Sequence, residues 1–104
     1  MEFSHIPVLL EQAVDALAVK KNGIYVDGTL GRGGHSLEIA RRLQNGHLYA
    51  FDLDEQALAE SAQRLAEVSG RVTLIRANFA QMREDGSMEQ LVGKYLEVPA
   101  HSLE

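Results

Sequence analysis

Three short apolar runs, each separated from the next by a segment of helical character, constrain the fold more than any other feature. The runs lie at 24–26, 47–51 and 71–76, and the segments 35–43 and 55–68 between them carry apolar residues along one side. Strands that alternate with helices indicate parallel strands joined by crossovers, with helices on the faces of the sheet. Right-handed crossovers place the three strands in the spatial order 3-2-1. We therefore predict a three-layer α/β half-sheet with flanking helices.

Composition narrows the classes of protein to consider. The chain of 104 residues has a formal net charge of −5 and no cysteine, and it lacks the run of about 18 apolar residues that a membrane span needs. Disulfide frameworks and thiolate metal sites are excluded. An acidic chain is a poor nucleic-acid binder on its own, because that affinity rests largely on Lys and Arg. We expect a cytoplasmic protein that does not contact a membrane.

The segment before the first strand has the spacing of a helix. Leu10, Val14 and Leu17 recur at i, i+4 and i+7, and Pro7 suits the first turn. We predict a helix over 8–18.

A glycine-dense turn follows the first strand. Gly28, Gly31, Gly33 and Gly34 fall within seven residues, and the turn opens directly into the helix predicted from His35. Ligands of open parallel sheets bind outside the carboxyl ends of the strands, where this turn lies. Glycines let a ligand approach the main chain, and the free N–H groups at a helix start can hold an anion. The turn is a candidate ligand site; the alternative is a tight connection and nothing more.

An acidic residue at the end of the second strand strengthens this interpretation. Asp52 lies 19 residues after Gly33. A carboxylate about 20 positions beyond such a turn accepts hydrogen bonds from a ribose diol in dinucleotide sites. The alternative role for Asp52, a cap for the next helix, is one that Asp54 already fills. The turn and the carboxylate together indicate a ligand that carries a nucleoside.

The details of the turn favour S-adenosylmethionine over a dinucleotide. The pattern G-x-G-x-x-G would need a glycine at position 36, which is occupied by Ser36. Asp27, at the entrance of the turn, would repel phosphates and attract an ammonium group. S-adenosylmethionine has an amino group and a sulfonium but no phosphate. A nicotinamide-binding module is the less favoured alternative.

Four segments together resemble one protein family. They are H-I-P-V-L-L-E-Q-A-V at 5–14, G-I-Y-V-D at 23–27, D-G-T-L-G-R-G-G-H-S at 27–36 and Y-A-F-D-L-D at 49–54. These segments are similar to the N-terminal helix, the first two strands and the cofactor turn of the bacterial ribosomal RNA small-subunit methyltransferase H family, also called MraW. The resemblance extends over residues 5–82.

The resemblance implies a Rossmann-like class I methyltransferase fold. It also implies methyl transfer from S-adenosylmethionine to the exocyclic N4 of a cytidine in 16S rRNA, within the small ribosomal subunit. The implied cofactor contacts are Gly33, Gly34 and His35 with the methionine end, Asp52 with the ribose hydroxyls, Phe79 with the adenine, and Asp27 with the amino group through water. The resemblance assigns no catalytic residue to this chain.

Some of these residues have competing interpretations. Without the motif, His35 would simply begin a helix, and Phe79 would belong to the core as most aromatic residues after a strand do. The remaining histidines, His5, His47 and His101, show no metal-ligand spacing, so no metal site is predicted.

The chain after residue 82 has no counterpart in the resemblance. We interpret residues 1–82 as the cofactor-binding half of a methyltransferase domain and residues 83–104 as a tail outside the family. The tail predicts an amphipathic helix at 88–97, which would begin with a capping box and be weakened by Gly93. Helical spacing in the tail is carried by Met88, Leu91, Val92, Tyr95 and Leu96, and the capping box by Ser87 and Gln90.

The interpretation as half a domain has consequences for association and activity. Without the family's fourth strand, the first strand would have a bare edge, and bare edges pair with other chains. We expect a homo-oligomer formed through this edge or through the tail helix, and little methyl transfer by the chain alone. The alternative function is a non-catalytic, self-associating scaffold or fusion fragment with a nucleotide-binding-like fold.

Overall fold

The computed structural model describes residues 12, 14–15, 17–28 and 34–98. Four parallel strands form one sheet in the order β3-β2-β1-β4. They are β1 (Ile24–Asp27), β2 (His47–Asp52), β3 (Val72–Arg76) and β4 (Leu96–Glu97). The order 3-2-1 predicted for the first three strands is confirmed. The helix predicted over 8–18 lies largely outside the described residues.

Helices join the strands and cover both faces of the sheet. α1 (Gly34–Arg41) leads from β1 to β2, and α2 (Glu55–Arg64) leads from β2 to β3 through 3₁₀ turns at Ala66–Arg71. α3 (Phe79–Asp85) and α4 (Ser87–Val92) follow β3. Within the part of the chain that the structure describes, no helix has the length and apolar character to cross a bilayer.

The sheet separates two apolar clusters. Successive residues of a strand point to opposite faces, so Tyr25 joins the cluster under α1 while Val26 joins the cluster under α3 and α4. The first cluster also contains Val14, Ile39, Ala40, Leu43, Leu48, Leu65, Val68 and Val98. The second also contains Phe51, Phe79 and Met88. Burial on both faces explains why the strands are almost continuously apolar.

The start of α2 matches the sequence prediction. The Asp54 side chain accepts a hydrogen bond of 2.9 Å from the backbone N–H of Gln56 and caps the helix. The regular helix ends at Arg64, earlier than the predicted residue 68, because the chain tightens into 3₁₀ turns where Val68 leaves helical geometry.

The tail differs from its prediction at two points. Gly93 has a φ of +74° and ends α4, so Leu96 and Glu97 are extended and pair in parallel with Tyr25 and Val26. The helix predicted at 88–97 is therefore too long, and the prediction of a bare edge on the first strand is wrong. The apolar spacing continues through Leu96, but a glycine that adopts a left-handed φ stops a helix whatever pattern follows.

The junction between α3 and α4 also corrects the predicted capping box. Ser87 is the first residue of α4 and not its cap; its backbone N–H and its hydroxyl both donate to Oδ1 of Asp85, at 2.9 and 2.6 Å. These bonds favour the carboxylate and lower the pKa of Asp85 below its ordinary value. α3 was not predicted from the sequence. Its cap is Asn78, whose side chain accepts a hydrogen bond of 3.0 Å from the backbone N–H of Gln81.

Paired leucine truncations test where the core lies. Leu48 on β2 is fully buried, whereas Leu91 on α4 is 50% exposed. We expect Leu48→Ala to lower the free energy of unfolding by about 2–5 kcal/mol, because it removes packed atoms and leaves a cavity. At a protein concentration at which the chain is monomeric, Leu91→Ala should change that energy by no more than about 0.5 kcal/mol. Urea denaturation followed by circular dichroism measures both; equal losses would contradict the assignment of the core.

Candidate functional site

A cavity of about 440 Å³ opens at the carboxyl edge of the sheet. Its walls come from residues that follow β1, β2 and β3, from α3, and from the end of β4. They are Gly28, Asp52, Leu53, Ala77, Asn78, Phe79, Ala80, Arg83, Glu97 and Val98. This is the edge at which open parallel sheets bind ligands. The structure therefore brings Asp52 and Phe79, two of the predicted site residues, to one cavity.

Asp52 is held in place by the loop that follows it. Its Oδ1 accepts a hydrogen bond of 2.8 Å from the backbone N–H of Asp54. Arg76, opposite Asp52 in the sheet register, donates from Nε to the carbonyl of Leu53 at 3.1 Å and pairs with Glu55 at 3.2 Å. Since Asp54 is the helix cap, Asp52 is spared that role. The described residues offer no hydrogen-bond donor to its Oδ2, so this oxygen can receive a hydroxyl from a ligand.

Phe79 belongs both to the core and to the cavity wall. Its side chain is only 9% exposed and packs in the second apolar cluster, with its ring 5.9 Å from the ring of Phe51. On its other side the backbone of Gly28 approaches so closely that a Cβ there would lie 2.3 Å from Phe79 Cδ2. Only glycine fits at position 28 while Phe79 stays in place. A ligand in the cavity would meet the rim of the ring, because most of the ring is covered.

An ion pair forms another part of the cavity wall. Arg83 Nη1 donates to both carboxylate oxygens of Glu97, at 2.9 and 3.1 Å. The Arg83 guanidinium also lies over the Phe79 ring, 5.2 Å from its centroid. These contacts tie α3 to β4, and they occupy the one cationic side chain among the described residues of the cavity wall. The wall is consequently acidic, with Asp52 and a Glu97 whose charge is balanced by Arg83.

Asp27 is the last residue of β1 and immediately precedes Gly28, which lines the cavity. It is 2% exposed, and Ser36 on the first turn of α1 donates to its Oδ2 at 2.9 Å. Ser36 is itself fully buried. The pair thus joins the carboxyl end of β1 to the start of α1, across the glycine-rich turn.

The remaining predicted site residues are described only in part. Gly33 lies outside the described residues. Gly34 and His35 form the N-terminal end of α1, which places their backbone next to the end of β1, but the structure does not describe the His35 side chain. Their contacts with a ligand stay a prediction.

Three residues of the cavity wall escaped the sequence analysis. Leu53 is 58% exposed and gives the cavity an apolar surface. Arg83 would have been placed one helical turn after Phe79 if the Asn78 cap had been recognised as a helix start. Glu97 could not be placed, because its position depends on the pairing of β4 with β1. In the described ranges, no three His, Cys, Asp or Glu side chains group as metal ligands do.

Comparison with known proteins places the chain in a family. Residues 2–98 match the model of the MraW methylase family. The chain belongs to this family. The resemblance derived from the four sequence segments is confirmed, and the match continues past residue 82, through α4 and β4.

The MraW relatives share about half of the aligned residues with this chain but are much longer than it. The chain is 52% identical over 83 residues to the ribosomal RNA small subunit methyltransferase H of Exiguobacterium sibiricum, an alignment that covers 80% of this chain and 27% of that protein. The chain therefore spans about a quarter of the length of the curated relatives it matches.

Solved structures share the fold. A candidate rRNA methylase from Clostridium thermocellum superposes with a TM-score of 0.65 at 30% identity, over 72% of this chain and 43% of that one. A SAM-dependent methyltransferase from Geobacter sulfurreducens, in complex with S-adenosyl-L-homocysteine, gives a TM-score of 0.59 at 23% identity, over 68% and 29% of the two chains. The predicted Rossmann-like class I methyltransferase fold is confirmed.

Two glycine substitutions test the close approach at the cavity. We expect Gly28→Ala to lower the free energy of unfolding by about 1–3 kcal/mol, because its Cβ forces the Phe79 ring out of the core. Gly70→Ala is the matched control, since a Cβ at position 70 meets no heavy atom within 4 Å; it should leave stability unchanged or raise it by about 0.4–1 kcal/mol. Thermal and urea unfolding measure both. A neutral Gly28→Ala variant would show that Phe79 does not pack as described.

Proposed function

We propose that this chain is the S-adenosylmethionine-binding part of an rRNA small-subunit cytidine N4-methyltransferase. The observation that carries the proposal is the cavity at the carboxyl edge of the sheet, where Asp52 and Phe79 lie in one wall of a chain that belongs to the MraW methylase family. In this proposal, Gly33, Gly34, His35, Asp52 and Phe79 contact the cofactor.

The charges around the cavity support a ligand without phosphates. A pyrophosphate needs cations or exposed N–H groups, whereas the single described cation of the wall, Arg83, is already paired with Glu97. Asp52 adds a negative charge to the wall. S-adenosylmethionine suits this environment because its charged groups include a sulfonium and an ammonium. The nicotinamide-binding alternative is less favoured because Ser36 stands where the dinucleotide pattern has its third glycine.

Each cavity residue has a separate task in this proposal. The outward Oδ2 of Asp52 accepts a ribose hydroxyl, while Oδ1 stays bound to the backbone of Asp54. Leu53, Ala77 and the rim of Phe79 offer apolar surface to the adenine. The bound cofactor supplies an electrophilic methyl group. Because the methyl acceptor is a neutral amine, the protein's contribution is to orient the two reactants and to exclude water.

The finer features of the sequence interpretation accompany this proposal. The acceptor is 16S rRNA in the small ribosomal subunit, and the protein acts in the cytoplasm. The division of the chain into a cofactor-binding part over 1–82 and a tail over 83–104 also stays a prediction.

Titration with S-adenosylhomocysteine tests the cofactor site. The intact chain should bind this ligand in isothermal titration calorimetry, and Asp52→Asn should weaken binding about tenfold, because an amide is a poorer acceptor for the ribose hydroxyls. Glu60→Gln, which removes an exposed carboxylate on α2 away from the cavity, serves as the control and should bind like the unaltered chain. Failure of the unaltered chain to bind at millimolar ligand would sink the proposal and favour the scaffold alternative.

Methyl transfer by the chain alone should be close to background. The described residues supply a cofactor cavity, yet none of them can be assigned to holding a cytidine. Radiolabelled S-adenosylmethionine and unmethylated small ribosomal subunits provide the assay, with a full-length MraW enzyme as the positive control. Rapid methylation by the 104-residue chain would contradict the expectation.

We also propose that the chain self-associates. Because β4 covers the edge of β1, the surface proposed for this contact is the outer side of β4 together with α4. Leu96 and Leu91 are 56% and 50% exposed there. Sedimentation velocity over a concentration series should show a reversible dimer that Leu91→Lys combined with Leu96→Lys abolishes. Leu53→Lys, at an equally exposed leucine of the cavity, should leave the dimer intact. A monomer at every concentration would refute self-association.

A further inference from the structure

The ion pair between Arg83 and Glu97 is a feature of the cavity that the proposed cofactor contacts leave unused. Arg83 Nη1 donates to both carboxylate oxygens of Glu97, at 2.9 and 3.1 Å, and both residues line the cavity. Arg83 is the one cationic side chain in the described part of the wall. A guanidinium matches the geometry of phosphate oxygens. Its engagement by a carboxylate therefore bears on which ligands the cavity accepts.

The local structure of α3 and β4 brings the two side chains together. Phe79 and Arg83 are four residues apart on α3 and share one face of the helix, where the guanidinium lies 5.2 Å from the centroid of the Phe79 ring. Glu97 pairs in parallel with Val26, whose side chain belongs to the apolar cluster under α3. Paired residues of neighbouring strands point to the same face of a sheet, so the Glu97 carboxylate is directed toward α3 and meets Arg83 there.

We propose that Glu97 is a specificity-determining residue, which engages Arg83 and thereby excludes phosphate-bearing nucleotides from a cavity that accepts adenosine-based ligands without phosphates. The inference rests on the proposed function and deepens it, because it names the residue that separates two classes of nucleoside ligand. In the proposed arrangement, the ribose hydroxyls lie at Asp52 and the adenine lies against Leu53. The 5′ substituent then faces the remaining walls of the cavity, to which the ion pair belongs.

The pair acts through the balance of charge in the wall. The described wall carries the carboxylates of Asp52 and Glu97 and the guanidinium of Arg83. With the pair intact, the guanidinium is balanced, and the remaining carboxylate repels phosphate. Without the charge of Glu97, the guanidinium can bind phosphate oxygens through two parallel hydrogen bonds. Without the charge of Arg83, two uncompensated carboxylates repel phosphate more strongly. The two losses therefore change the preference for phosphate in opposite directions.

Adenosine and adenosine 5′-monophosphate differ only in the phosphate and measure this preference. Calorimetric titrations of the intact chain, in low-salt buffer and at a protein concentration at which it is monomeric, give the ratio of the affinity for the monophosphate to the affinity for adenosine. We expect Glu97→Gln to raise this ratio about fivefold, which is the upper range for an exposed ion pair, and Arg83→Met to lower it. The double variant should return the ratio close to that of the unaltered chain.

The ratio separates an effect of charge from a change in the fold, because a distorted cavity weakens both ligands together. Both single variants break the same ion pair, so a purely structural role would not move the ratio in opposite directions. The two side chains are 48% and 41% exposed, so the variants should keep the fold, which circular dichroism verifies. The gain in Glu97→Gln should fade as salt is added, since salt screens exposed charges.

Glu67→Gln is the matched control. It removes a carboxylate that pairs with Arg41 at 3.2 Å, and neither residue lines the cavity. This variant should leave the ratio unchanged.

The outcomes are distinguishable. Opposite changes of the ratio in Glu97→Gln and Arg83→Met support the inference. A ratio that stays constant in both variants, or that moves in the same direction in both, overturns it while the proposed cofactor site stands. If the unaltered chain binds neither adenosine nor S-adenosylhomocysteine, the proposed function fails and this inference fails with it.

Discussion

The parallel register of β1, β2 and β3 is the constraint on which the rest of the structure depends. Asp52 pairs with Arg76, so β2 and β3 end together, and Asp27 pairs with Ala50, so β1 ends two residues earlier at the same edge of the sheet. A shift of one residue would turn each strand's side chains to the opposite face, and would bury the polar residues that follow them. Because the register is kept, the two carboxylates come to one edge, where α1 begins and the cavity opens.

Phe79 belongs both to the apolar core and to the wall of the cavity. The same ring completes the apolar cluster under α3 and closes one side of the cavity, and it can do both only because position 28 lacks a side chain. A core residue that also lines the cavity links the stability of the fold to the shape of the cavity. The sequence left open whether Phe79 belongs to the core or contacts a ligand; the ring packs in the core and also lines the cavity, and the ligand contact stays a proposal.

The fold was predictable from the sequence where local patterns and the rules of strand connection agree. The short runs around Val26, Phe51 and Leu74 are bounded by turn residues, and right-handed crossovers leave one order for them. The place of Asp52 at the carboxyl edge of the sheet could be predicted because the residue ends a strand. The family resemblance could be recognised because its motifs are contiguous in the sequence. Glu97 and β4 could not be predicted, because a two-residue strand has no periodicity and depends on an edge formed far away in sequence. The apolar spacing through Leu96 predicted a helix instead of a strand, whereas in the structure Gly93 ends the helix.

The wall that β4 contributes to the cavity has a different physical character from the rest. It is held by pairing at two residues of β1, by one further backbone hydrogen bond from Val98 to Val26, and by an exposed ion pair of the kind that contributes about 0.2–1 kcal/mol. Leu96 and Glu97 are themselves exposed, whereas Val98, which follows them, is buried in the first apolar cluster. Amide protons of β4 should exchange with solvent while those of β1 and β2 stay protected. The wall that β4 forms is therefore attached to the sheet by fewer paired residues than the walls at the ends of β1, β2 and β3.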